Sequence, residues 1–196
     1  LLPRNRRILL FLVGNFCLVD SLNAGIIAAS PYMVHVFGLQ KQQAMLWLIP
    51  FSIGAAALGA IGGRIADAVG ARRALLAAGV SVMFALLICG MTQSFALFII
   101  VFTLLGGFGL ANIWVAGRKF LIELVPPGQL GKHFGLYNVS QKLSMIGVIV
   151  FGILADLTLP GIPGGGYRLG LLSLMFMLTV GLTCIYKVKT GEWSAA

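Results

Sequence analysis

Acidic side chains are scarce in this chain: its 196 residues hold only 5 Asp and Glu, and charged residues of both signs make up just 10%. Soluble domains carry about 25% charged residues, so a water-covered globular surface is excluded. Histidine is nearly missing as well. His35 and His133 lie far apart in sequence and are expected in separate loops on opposite sides of the molecule. No H-E-x-x-H, G-x-S-x-G or P-loop pattern occurs, so metal-dependent, serine-type and ATP-driven hydrolysis all lack their residues. The three cysteines, Cys17, Cys89 and Cys184, fall inside apolar runs with no paired spacing, which supports neither a disulfide framework nor a metal site. An enzyme is not expected, nor is a cofactor or a metal.

Apolar sequence is what the chain has in excess, at 59% hydrophobic residues. It is concentrated in six stretches: Ile8 to Ala29, Ala44 to Ala66, Ala74 to Gly90, Phe95 to Ala116, Val139 to Leu157 and Leu169 to Tyr186. A helix needs about 20 residues, at 1.5 Å rise each, to cross a hydrocarbon core of about 30 Å. The third and fifth stretches are slightly short, a mismatch that tilt or local thinning absorbs. A membrane barrel would alternate in and out, and runs such as Phe95-Ala96-Leu97-Phe98-Ile99-Ile100-Val101-Phe102 do not. The expected fold class is therefore an all-α integral membrane protein with six transmembrane helices.

The net charge of +9 invites a nucleic-acid reading, but the basic residues are placed by topology. Arg4, Arg6 and Arg7 precede the first span, and Arg64, Arg72 and Arg73 flank the second gap. Arg118, Lys119 and Lys132 flank the fourth gap, and Lys187 and Lys189 follow the last span. Only Lys41 and Arg168 fall on the other side, with Lys142 near a span end. The positive-inside rule then puts both termini in the cytoplasm, most simply of a plasma (inner) membrane. The excess charge faces lipid headgroups and solvent, and no nucleic-acid partner is expected.

Two features of the spans carry further information. Ala55, Gly59, Gly62 and Gly63 in the second span, and Gly106, Gly107 and Gly109 in the fourth, are small residues that let helix backbones approach closely in lipid. They serve either tight packing or sliding between helices. The first span places Asn15, Asp20 and Asn23 in an otherwise apolar helix, at roughly 0°, 140° and 80° around its axis, on one broad face. An Asp at a helix centre costs about 2.5–3.5 kcal/mol to insert and usually faces a bundle interior or a watery cavity. Asp67, Glu123, Asp156 and Glu192 fall at span ends or in loops, so Asp20 is the deep acid. It is the candidate for a coupling proton or for a cationic group of a solute. Asn15, Asn23, Asn112 and Trp114 are candidates for the same cavity surface; a plain structural hydrogen bond between helices is the alternative.

Between the second and third spans runs Gly63-Arg64-Ile65-Ala66-Asp67-Ala68-Val69-Gly70-Ala71-Arg72-Arg73. It resembles the G-x-L-A-D-x-x-G-x-R-R signature loop of the major facilitator superfamily. Arg118, Leu124-Val125-Pro126-Pro127-Gly128, Phe134-Gly135-Leu136-Tyr137-Asn138-Val139-Ser140-Gln141-Lys142, Gly147 and Phe151-Gly152 resemble, more narrowly, the vacuolar effluxer family linked to autophagy and its bacterial relatives. Asp20 matches the acid that family carries in its seventh helix. His133, Gln141, Ser21 and Val148 depart from the pattern. The resemblance implies residues 1–196 as the C-terminal six-helix half of a twelve-helix transporter, moving a small solute, such as an amino acid or related metabolite, by alternating access. It also implies a tight cytoplasmic turn at Gly63 to Arg73 and a gate built from Gly63, Asp67, Gly70, Arg72, Arg73, Arg118 and Lys142. The start at Leu1-Leu2-Pro3, without Met, fits a cut from a longer chain. The partners implied are the solute, the bilayer, protons, and a missing N-terminal half or a second copy. A six-span scaffold or an oligomeric channel is the alternative.

Overall fold

The structure, a computed structural model, describes residues 2–188 except Thr158, Pro160 and Pro163; the side chains of residues 2–5 and of Pro127 are outside the description. The side chain of Arg4, and Lys189 and Glu192, weighed above for topology and charge, therefore lie outside the described residues. Among the described residues eight α-helices follow one another: α1 (Leu2–Phe37), α2 (Lys41–Val69), α3 (Ala71–Met91), α4 (Phe95–Val101), α5 (Gly107–Leu124), α6 (Leu130–Lys142), α7 (Ile146–Ala155) and α8 (Gly165–Lys187). No strand occurs among the described residues. They form six membrane-length units, because α4 and α5 continue through a π-helical segment and α6 and α7 make up one interrupted span.

Most units run longer than hydropathy alone marks. The third is 21 residues long and needs no thinning of the bilayer. The fifth begins at Leu130, nine residues before the expected Val139, since the polar face of α6 hides its helix from a hydropathy window. His133 consequently lies in α6, with Nδ1 2.9 Å from Gln129 O, and His35 lies in the last turn of α1, stacked on Tyr167. Neither is in a loop as expected. Lys142 is not near a span end either: it closes α6 about midway along the fifth unit.

The Gly63 to Arg73 stretch is also more helical than expected. Helix α2 continues through Val69 and α3 starts at Ala71, so the reversal is made by Gly70 alone. Its φ of 90° lies in the region that side chains with a Cβ avoid.

Packing follows the small residues. Helices α1 and α8 cross at Gly14 and Gly181, where a Cβ on either glycine would come within about 3 Å of the other's carbonyl oxygen. Along α2 against α4–α5, a Cβ on Gly54 would meet Thr103, one on Gly59 would meet Ala111, and one on Gly62 would meet Asn112. The π segment Phe102–Gly106 widens one turn of that helix and misaligns its carbonyls. Ser81 of α3 donates its hydroxyl to Leu105 O at 2.8 Å and so takes up one of them. Apolar side chains such as Ile53, Ile149, Ile153 and Phe176 point outwards, as a lipid-facing surface requires.

Candidate functional site

The fifth span breaks at Leu143–Met145, between Lys142 and Ile146. A break inside a bilayer leaves the first N–H groups of the second half-helix without partners, and each must be satisfied inside the protein. Asp20 does this. Its Oδ2 accepts from Gly147 N at 2.6 Å and its Oδ1 from Ser144 Oγ at 3.2 Å. Asp20 is fully buried, and a Cβ on Gly147 would sit 2.8 Å from Oδ2, so only glycine allows the carboxylate this close. A negative charge at a helix N-terminus is also favoured by the backbone dipole, and Lys142 stands at the C-terminal end of α6, where a cation is favoured.

Beside the break, α1, α5 and α6 meet over a layer of aromatic rings. Phe11 lies edge-on to Phe120 and stacks with Tyr137. Next to Tyr137 a polar cluster is held out of solvent. Asn15 Oδ1 and Tyr137 Oη both lie over Gly117, at 2.8 and 3.0 Å from where its Cβ would be. Gln141 and Arg118 approach the same phenol. These approaches are close but poorly aligned, and both amide atoms of Asn15, the Tyr137 hydroxyl and Gln141 Nε2 are buried without a well-formed hydrogen bond inside the protein. Buried polar atoms are nearly always paired, so four orphans in one place mark unused binding capacity.

On the open side of this cluster lies a cavity of about 390 Å³ lined by Val19, Asn23, Trp114, Arg118, Asn138, Gln141 and Lys142. The expected cavity surface is thus divided. Asn23 and Trp114 line the cavity, whereas Asp20 and Asn15 are wholly buried behind it. Asn112 faces elsewhere. Its side chain fills the notch left by Gly62, and Nδ2 donates to Phe108 O at 2.7 Å and Leu58 O at 3.5 Å. Its place is the α2–α5 seam, because on α5 it lies well away, around the helix axis, from Trp114 two residues on.

The residues expected to cluster as a gate are separated too. Asp67 pairs with Lys119, Nζ to Oδ1 2.6 Å, and with none of Arg72, Arg73 or Arg118. Lys119 also donates to Ala66 O at 3.0 Å. Arg72 reaches across to α8, donating to Tyr186 O and lying over the Tyr186 ring. Gly63 and Gly70 have open space around them, and Arg118 and Lys142 belong to the cavity wall. Sequence reasoning missed Lys119 and Ser144. Lys119 is 52 residues from Asp67, a separation at which spacing carries no signal, and Ser144 becomes informative only once the helix is known to break there.

Six membrane-length apolar helices, a Gly70 turn between α2 and α3 with Asp67 in the last turn of α2, and a broken fifth span are now in place. The family model of the Major Facilitator Superfamily matches residues 10–194, nearly the whole chain. The chain belongs to the major facilitator superfamily. It is accordingly a multi-pass membrane protein of a transporter family rather than an enzyme family, in contact with lipid and with the solute it carries. No individual curated protein is similar enough to match it.

Proposed function

We propose that this chain is one six-helix half of a secondary active transporter that moves a small polar solute by alternating access. The supporting observation is the broken fifth span, whose second half-helix is held by the buried carboxylate of Asp20. Interrupted helices near the midplane are where superfamilies of this kind bind solute and coupling ions, between two halves that rock against each other. Taking up a proton at Asp20 removes the charge that holds Gly147 and weakens the hold of α1 on α7. The motion of the half-helix is thereby tied to a proton gradient. A missing N-terminal half or a second copy completes the pathway. The basic residues favour a plasma (inner) membrane with both ends of the fragment in the cytoplasm. On the cytoplasmic side Asp67 with Lys119 links α2 to α5 and Arg72 links α3 to α8, two separate contacts that gating must release, and the resemblance to vacuolar effluxers favours amino acids or related metabolites as solutes.

The test is uptake of labelled amino acids and organic acids into proteoliposomes carrying the chain with its other half. Accumulation driven by a pH gradient is expected, and Asp20→Asn is expected to keep exchange while losing accumulation. Gradient-independent flux through folded protein would overturn the transporter reading in favour of a channel. Unchanged accumulation by Asp20→Asn would remove Asp20 from coupling.

A further inference from the structure

The cavity between α1, α5 and α6 has a feature that neither hydropathy nor the position of Asp20 anticipates: its charge is all of one sign. Arg118 and Lys142 are both exposed on its wall, and no carboxylate lines it. Neither cation forms an ion pair within the described residues, where the only ion pair joins Lys119 to Asp67. Asp20, next to the cavity residue Val19 on α1, is fully buried, does not line the wall and is engaged by Gly147 N and Ser144 Oγ. Lys142 stands twelve residues along from Leu130, about 18 Å at 1.5 Å rise, well inside the fifth span. A cation at such depth is costly unless it meets a counter-charge or water, and two together repel each other as well.

The remaining wall fits the same need. Asn23, Asn138 and Gln141 supply amides, and Gln141 Nε2 is a buried donor with no partner. Trp114 offers a partly exposed indole face. The volume of about 390 Å³ lies in the range of about 300–1,000 Å³ typical of small-molecule sites. Resting on the transporter reading above, we propose that this cavity binds a small organic anion. Arg118 and Lys142 hold its carboxylate or phosphate, and Trp114 packs against its body. Arg118 grips the acid with two parallel N–H groups, Lys142 acts as a point charge, and the amides hydrogen-bond its polar substituents. A cationic solute meets like charge here. A neutral amino acid would place its ammonium where no carboxylate receives it, so among the amino acids and related metabolites named above the wall selects the anionic ones.

The experiment is a binding titration on the complete chain in nanodiscs of phosphatidylcholine, followed by tryptophan fluorescence and thermal unfolding. Succinate and inorganic phosphate are the anionic probes, with choline and alanine as counter-probes. Succinate or phosphate is expected to change the fluorescence and raise the unfolding temperature, while choline and alanine do neither. Arg118→Gln and Lys142→Gln should each weaken anion binding about tenfold or more, with Arg118→Lys retaining part of it. If a glutamine variant does not fold, Asn138→Ala on the exposed wall carries the test, with a smaller expected loss. Absence of binding by both anions, undiminished binding by the double variant, or tighter binding of choline or alanine would overturn the proposal. So would an Arg118-dependent change that appears only with phosphatidylglycerol in the disc, since the site would then hold a lipid headgroup. Binding is read without transport, so a failure here leaves the uptake test standing, and failed uptake leaves an anion site intact.

Discussion

Two asparagines lie over two glycines in this bundle, and the pairs differ in what the amide meets. Asn112 presses onto Gly62 so closely that a Cβ there would fall 1.4 Å from Oδ1, and its Nδ2 donates to Phe108 O and Leu58 O. Asn15 lies over Gly117 at a looser 2.8 Å, with Tyr137 Oη beside it, and neither of its amide atoms is paired. The first pair closes the α2–α5 seam, where Gly54 and Gly59 likewise admit Thr103 and Ala111. The second sits where α1, α5 and α6 border a cavity and the span breaks. Identical residue types thus build a satisfied joint on one side and leave hydrogen-bonding capacity unused on the other. A joint of the first kind suits parts that move as one body, and an unsatisfied cluster suits the part that meets water, protons or solute.

The comparison breaks most visibly at Gly62. Gly62→Ala forces Asn112 out of its notch with the loss of both hydrogen bonds, and should cost about 2–3 kcal/mol, or about 4–12 °C in thermal unfolding in detergent. The double change Gly62→Ala with Asn112→Ala refills the notch with a methyl group and should recover most of the loss. No recovery would mean that the seam is not held by this fit. The next test sets the asparagines against each other. Asn112→Leu should destabilise by about 1–3 kcal/mol, whereas Asn15→Leu should lie within about 0.5 kcal/mol of the parent or above it, because it removes two unpaired polar atoms. Equal losses at both sites would erase the distinction.

The unsatisfied side does hold one engaged group. Asp20→Asn keeps the shape but removes the charge at the α7 N-terminus, and should cost about 1 kcal/mol by chemical unfolding. Hydrogen exchange should rise first in α7. A change confined to other helices would show that Asp20 does not hold that half-helix. The smallest effect is expected on the tight side. Lys119→Gln removes the pair with Asp67, whose side chain is 76% exposed, and should alter stability by less than about 0.5 kcal/mol. A larger loss would mean that charge as well as packing holds the seam.

Much of this was legible from residues alone. Each apolar stretch produced a helix, since a chain in lipid must bond its own backbone and a helix does so locally. Gly70 and its basic neighbours marked a turn, because few other residues adopt that conformation. Asp20 stood out because a lone deep acid needs a reason. The break after Lys142 was hidden. Leu143-Ser144-Met145 contains no proline or glycine, and what compensates the lost backbone bonds is a carboxylate more than a hundred residues earlier. Asn112 was likewise expected on the cavity surface with Trp114, when Gly62 on another helix sets its position.

The sequence by itself determined the membrane class, the number of spans and the superfamily, because hydropathy, chain length and the Gly63 to Arg73 signature are local properties. Only the tertiary structure decided which polar residues are satisfied and which are left over. It paired Asp67 with Lys119 rather than with an arginine, withdrew Asp20 from the cavity to hold α7, and left Arg118 and Lys142 on the cavity wall. The reason is physical: a charge in low dielectric is governed by what lies within a few ångströms, and those neighbours come from helices far apart in sequence.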